Sequence, residues 1–401
     1  MNQTQVKNKL IRLDYCLTPT HQINNAAIII DGENIHAVGG FSAFQHTEQY
    51  DVLEMPECYA LPGFIDTHLY GAGGFDCMHA DSDTNIAGMS KILAQHGVTA
   101  FLPTTQSDSR EHLVAVVQSL AEMCHSDLPG AMAVGIHVEG PYLSVEKRGA
   151  HPKRHIRPID LDEAEEIIAA GKNMIKIFAF APELENAVEL TQLLSRNSII
   201  PSLGHTMANR EQVEKIVNCS GALRCSHLFN GMEPLQQRKV GLAAIALMND
   251  WMWVEIIPDG IHIHPGMLNL SCRTKDKSKI ICISNSTEAA GLEDGTYKLG
   301  EDIIKVEDGK SMLEDGTIAG SVNFMDQNYR NLKEFTNMST TEVAACCTMN
   351  PARSIGLHDR GEIKPGRKAD IVIMDKHHQV CMTIASGRIV YDRETDETYH
   401  G

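Results

Sequence analysis

The chain has 401 residues, enough for one large barrel with an appendage or for two ordinary domains, and too many for a single small module. Its 35 Lys and Arg against 52 Asp and Glu leave a formal charge of −17 and no basic run, which argues against nucleic acid as a partner. Apolar residues are 43% and charged residues 22%, with a mean hydropathy of −0.19, the balance of a globular chain with a buried core.

From the N-terminus, the segment 1–17 mixes Lys7, Lys9, Arg12 and Asp14 into its apolar residues, so it has no signal-peptide core. No stretch reaches the roughly 20 apolar residues that cross a bilayer. Eleven cysteines, odd in number and without a C-x-x-C pair, fit reduced thiols in a cytoplasmic protein. The adjacent Cys346 and Cys347 read as helix-packing residues.

Residues 26–30 and 35–38, joined through Asp31-Gly32-Glu33-Asn34, read as a hairpin. Eight β-rich runs follow at 60–68, 99–105, 133–139, 174–182, 199–205, 222–227, 253–258 and 279–285. Helical patterns lie between many of them, at 110–124, 160–170 with an Asp160/Glu163 capping-box pattern, 183–195 and 209–218. From His68 to Asn285 the run ends are spaced by about 31 residues, the length of a βαβ unit. Eight such units predict an α/β fold, a (β/α)8 TIM-type barrel over 59–355 whose strand C-termini share one face. Further strand patterns at 369–374 and 380–384 pair in this reading with the N-terminal ones. They make a small β-sandwich from both termini, 1–58 and 356–401.

Chemistry-bearing residues fall at the run ends: His68, Glu139, His205, His227 and Asn285. Glu139 sits in Gly135-Ile-His137-Val-Glu139-Gly-Pro-Tyr, where Gly140-Pro141 forces a turn at the barrel mouth. His205 and His227 each present one imidazole. One carboxylate and two imidazoles leave an open position for water, the composition of a hydrolytic metal site. His68 and Tyr70 share a strand face, so a His-x-His pair would supply two ligands there; tyrosine is a poor second one.

The motifs Pro62-Gly-Phe-Ile-Asp-x-His, His137-x-Glu-Gly-Pro, Gly-Ala-His151-Pro, Gly204-His, His227-Leu-Phe-Asn-Gly-Met with Arg238, Pro258-Asp-Gly-Ile-His262, Ala289-Ala-Gly-Leu-x-Asp-Gly and Ala319-Gly-Ser occur in this order. Over about 62–321 the chain thereby resembles the N-acetylglucosamine-6-phosphate deacetylase family of the amidohydrolase superfamily. The resemblance implies a divalent ion, zinc or iron foremost and manganese, cobalt or nickel besides, held by Glu139, His205 and His227. His68 is then the remnant of a second-metal pair. It also implies that His151 contacts the acetamide carbonyl, and that Asn230 and the Gly231 backbone line the pocket. Arg238 and His262 would hold the sugar phosphate, partly across a homodimer interface. Galactosamine and glucosamine epimers are not separated at this level. A cyclic-amide hydrolase would place a bridging lysine where this chain has Glu139.

One position departs from that family. An aspartate ending its eighth strand takes a proton from the attacking water and passes one to the departing amine; here the residue is Asn285. An amide is no base at neutral pH, and such groups contribute roughly 10² to 10⁴ in rate. Three readings follow: an Asp-to-Asn replacement that traps substrate, a natural sugar-phosphate binder without catalysis, and Glu288 acting as a displaced base.

Overall fold

The computed structural model describes residues 8–79 and 83–396. Eight parallel strands run in sequence order: β1 (Phe64–Leu69), β2 (Val98–Thr105), β3 (Ile136–Glu139), β4 (Ile175–Phe180), β5 (Ile200–Leu203), β6 (Arg224–Cys225), β7 (Trp253–Ile256) and β8 (Ile280–Cys282). Each pairs with the next, and their residues are buried almost throughout, as expected of strands covered on both faces. The ring closes beyond the strands proper. The Asn285 N–H donates to the His68 carbonyl at 2.9 Å, and the Tyr70 N–H to the Ser286 carbonyl at 2.8 Å. The expected (β/α)8 barrel is therefore present.

Two sequence expectations change in detail. The run 60–68 is not one strand: Asp51–Pro62 belongs to the terminal sheet, and β1 starts after Gly63. A Cβ on Gly63 would lie 2.2 Å from the Thr99 side chain, so any larger residue at this corner would force its surroundings to shift. The capping box at Asp160 is half made. Asp160 accepts from the Asp162 and Glu163 N–H groups, but the Glu163 carboxylate turns to Arg157 at 2.6 Å instead of back to the cap. By contrast, Asn209 and Gln212 form a complete box on helix Arg210–Cys219.

The termini form one seven-stranded sheet in the order Arg388–Asp392, Val380–Ala385, Ile371–Asp375, Asp51–Pro62, Lys9–Leu17, Gln22–Asp31, Asn34–Gly40. Ile371 lies opposite Pro62, which joins the two ends of the chain. Ile11, Ile28, Ile373 and Ile384 fill its own core, making the β-sandwich domain. Gly32 carries the hairpin turn at φ 57°. After β8 the chain makes a second excursion that sequence patterning did not reveal, a three-stranded antiparallel sheet (Gly295–Leu299, Asp302–Glu307, Lys310–Met312). Among the described residues no helix is long and apolar enough to cross a membrane.

Candidate active site

Glu139 ends β3, while His205, His227 and Asn285 stand two or three residues beyond β5, β6 and β8. All four are buried. His205, His227 and Asn285 have left-handed backbones, φ 47°, 26° and 53°. Such conformations cost non-glycine residues about 1 to 3 kcal/mol each and persist where surrounding structure over-determines them. Here the barrel rim supplies that constraint, and the three side chains line one cavity.

The ring hydrogen bonds decide what His205 and His227 can do. His205 Nδ1 lies 2.8 Å from the Lys147 carbonyl, and His227 Nδ1 lies 3.1 Å from the Asn230 carbonyl. A carbonyl only accepts, so both Nδ1 atoms carry the proton and both Nε2 atoms present lone pairs. Those lone pairs meet each other at 3.1 Å and meet Glu139 Oε1 at 3.1 Å from His227 and 3.5 Å from His205. Three electron-rich atoms converge without a proton between them. A tetrahedral zinc-like site with bonds near 2.0 Å has ligand–ligand edges of about 3.3 Å, so the triad fits a divalent cation.

Glu139 Oε2 is occupied by donors instead: the Tyr70 hydroxyl, and His151 Nε2 at 3.2 Å. Burial disfavours the Glu139 charge, but the His68 charge and the hydrogen bond from His151 hold its carboxyl well below the usual range. Burial pushes the Tyr70 phenol well above its ordinary value, so it stays a donor. His68 is held on both sides, with Nδ1 2.9 Å from Glu255 Oε2 and Nε2 3.1 Å from the Tyr70 hydroxyl. Burial alone would lower the His68 imidazole; the carboxylates of Glu139 and Glu255 push it up to about 10.

Sequence reasoning missed the layer beneath. Glu255, in the middle of β7, takes Arg224 Nη2 at 2.6 Å and the His227 N–H at 3.1 Å, and all of these groups are buried. The available signal was a charged residue inside an apolar strand, Val254-Glu255-Ile256 and likewise Leu223-Arg224-Cys225.

The cavity has a volume of about 390 Å³. His151, Asn230, Gly231, His262 and Asn285 line it with the two metal-type imidazoles, while Leu299, Thr317 and Ile318 from the second excursion cover it. His262 is held by Asp259 at 2.5 Å. Gly231, at φ 57°, has no room for a Cβ, which would come 2.8 Å from His205 Nδ1. Arg238 is not brought in: it is exposed and outside this lining. Glu288 is not part of the lining either, its carboxylate accepting the Lys298 N–H at 2.6 Å. Asn285 Oδ1 is buried without a hydrogen-bond partner.

A barrel with its polar groups on one rim and an N,N,O triad matches a known family. The chain belongs to the amidohydrolase family, which it matches over residues 59–392. Membership makes it an enzyme acting on an amide, in a superfamily that implies a divalent metal. It is 37% identical over 342 residues to the N-acetylglucosamine-6-phosphate deacetylase of Bacillus subtilis (strain 168), covering 84% of this chain and 86% of that one. It is 30% identical over 347 residues to the N-acetylgalactosamine-6-phosphate deacetylase of Escherichia coli O157:H7, covering 86% and 91%. A mutant N-acetyl-D-glucosamine-6-phosphate deacetylase from Mycobacterium smegmatis, solved with N-acetyl-D-glucosamine-6-phosphate, superposes with a TM-score of 0.90 at 28% identity, covering 96% and 99%. The Thermotoga maritima N-acetylglucosamine-6-phosphate deacetylase gives 0.86 at 34% identity, again over 96% and 99%.

Proposed function

We propose that the chain is built to hydrolyse the acetamide of N-acetylglucosamine 6-phosphate to glucosamine 6-phosphate and acetate, with turnover held down by Asn285. The observation that carries this reading is the set of facing lone pairs of His205, His227 and Glu139 Oε1, with both imidazoles lining a cavity of about 390 Å³. When bound there, a divalent ion polarises the acyl oxygen and activates water. The N,N,O donor set suits zinc or iron. His205 and His227 hold their lone pairs inward through their carbonyl partners, and Tyr70 keeps the second carboxylate oxygen of Glu139 engaged. His151 stands beside Glu139 where the reacting carbonyl would lie. His262, fixed by Asp259, faces the cavity as a group for the phosphate end. Asn285 keeps the size and shape of an aspartate but has one acceptor oxygen and an NH2 donor in place of the carboxylate, so substrate binding survives while proton transfer to the amine fails.

In the homodimer that this reading includes, Arg238, exposed in the single chain, reaches the partner's phosphate site. A cytoplasmic location agrees with eleven free cysteines. A second reading, a non-catalytic sugar-phosphate binder, is favoured by Asn285 alone. Acetate release by the Asn285→Asp variant from both epimeric substrates separates the readings. Higher kcat/KM for the gluco epimer supports the proposal, and preference for the galacto epimer reassigns the substrate. Release from neither, with sugar phosphate still bound, leaves the binder.

A further inference from the structure

His151 poses a chemical question that the metal-type triad does not answer. Glu139, His151 and His205 present ligand atoms within 4.8 Å of one another, so proximity alone makes His151 as good a cation ligand as His227. Its other ring nitrogen distinguishes it. Nδ1 of His205 and of His227 faces a carbonyl, whereas Nδ1 of His151 faces the main-chain N–H of Ser107 at 3.1 Å and the Ser107 hydroxyl at 2.9 Å. An amide N–H can only donate. Nδ1 of His151 therefore carries the lone pair, and in the neutral ring the proton sits on Nε2, which points at Glu139 Oε2 from 3.2 Å.

We propose that Ser107 is a positioning residue: its N–H and hydroxyl fix His151 in the Nε2–H tautomer, making it a hydrogen-bond donor to the substrate acyl oxygen and excluding it from the ligand set. Ser107 stands two residues past the end of β2, and Gly140 follows Glu139 directly. A Cβ on Gly140 would come 2.2 Å from the Ser107 hydroxyl oxygen, so the glycine that turns the chain after Glu139 also makes room for this contact. One wall thus holds both the carboxylate and the donor beside it. A donor aimed at developing charge on an acyl oxygen is worth most when it needs no reorientation during the reaction.

The proposal rests on the deacetylase reading for the identity of the acyl oxygen, and the tautomer itself is measurable without turnover. Proton–nitrogen correlation spectra of histidine-labelled, zinc-loaded protein, with the His151 signals assigned by their loss in His151→Gln, should show a bare Nδ1 and a protonated Nε2. Ser107→Ala keeps the main-chain donor and loses the hydroxyl. It should shift the His151 Nδ1 resonance while leaving metal content unchanged. In an Asn285→Asp background it should lower kcat by about tenfold with KM little altered, the low end of the loss seen for partners that orient catalytic groups. A wild-type His151 protonated at Nδ1, or a Ser107→Ala variant with an unshifted Nδ1 resonance, overturns the proposal. If the Asn285→Asp host is inactive, the deacetylase reading fails and the spectra still decide the role of Ser107.

Discussion

Arg224 and Glu255 form a fully buried pair at 2.6 Å under the site, and Glu255 also holds the His68 ring and the His227 N–H. Burial opposes the Glu255 charge, but Arg224 and His68 outweigh it and keep its carboxyl well below the usual range. A carboxylate depressed in the folded state contributes stability that is present above its unfolded pKa, near 4.3, and is lost as the pH falls through the folded value. Glu255→Gln leaves Arg224 charged in the interior without its counter-ion. Chemical denaturation should show a loss of about 3 to 5 kcal/mol, whereas replacing both residues by Met should cost less, since the desolvated charges leave together. Equal losses in the single and double variants would contradict this assignment.

At the level of elements, the legible part of the molecule was its periodicity. Strand ends at regular spacing put His68, Glu139, His205, His227 and Asn285 on one rim, and the structure brings them together there. The pattern was blind where tertiary contact decides. The apolar run 60–68 carries a turn signal at Pro62-Gly63, but the apolar pattern continues unbroken across it, and the tight packing that fixes the corner comes from the distant Thr99 side chain. The strands 295–299, 302–307 and 310–312 are short and largely exposed, and their apolar residues Leu299, Ile304 and Val306 pack against Tyr70 from a distant part of the chain. Glu163 looked like a capping partner because the sequence does not reveal that Arg157 claims it. Gly63→Ala tests the corner: overpacking against Thr99 should destabilise the fold by about 1 to 3 kcal/mol, read from the denaturation midpoint. A neutral result would mean that the strand can shift to accommodate a methyl group.

For the whole molecule, a net charge of −17 looks unsuited to a phosphate ester, but net charge governs long-range association rather than the lining of one cavity. Because the global field opposes a dianion, screening by added salt should leave the substrate association rate unchanged or raise it, whereas in a basic enzyme it falls. A steep salt-induced loss of association rate would contradict this. Metal binding also links the site to global stability. A cation that binds only the folded chain, at a free concentration a hundred times its Kd, adds about 2.7 kcal/mol. Chelation should therefore lower Tm, with recovery on adding zinc, and an unchanged Tm would count against occupancy of the triad. The central claim joins the His205–His227–Glu139 triad to amide hydrolysis held back at Asn285. Deacetylation of N-acetylglucosamine 6-phosphate by the Asn285→Asp variant, assayed before and after chelation, tests it most directly. The account predicts at least a tenfold gain over the Asn285 chain, abolished by the chelator and restored by a divalent ion; no gain, or a gain that survives metal removal, would contradict it.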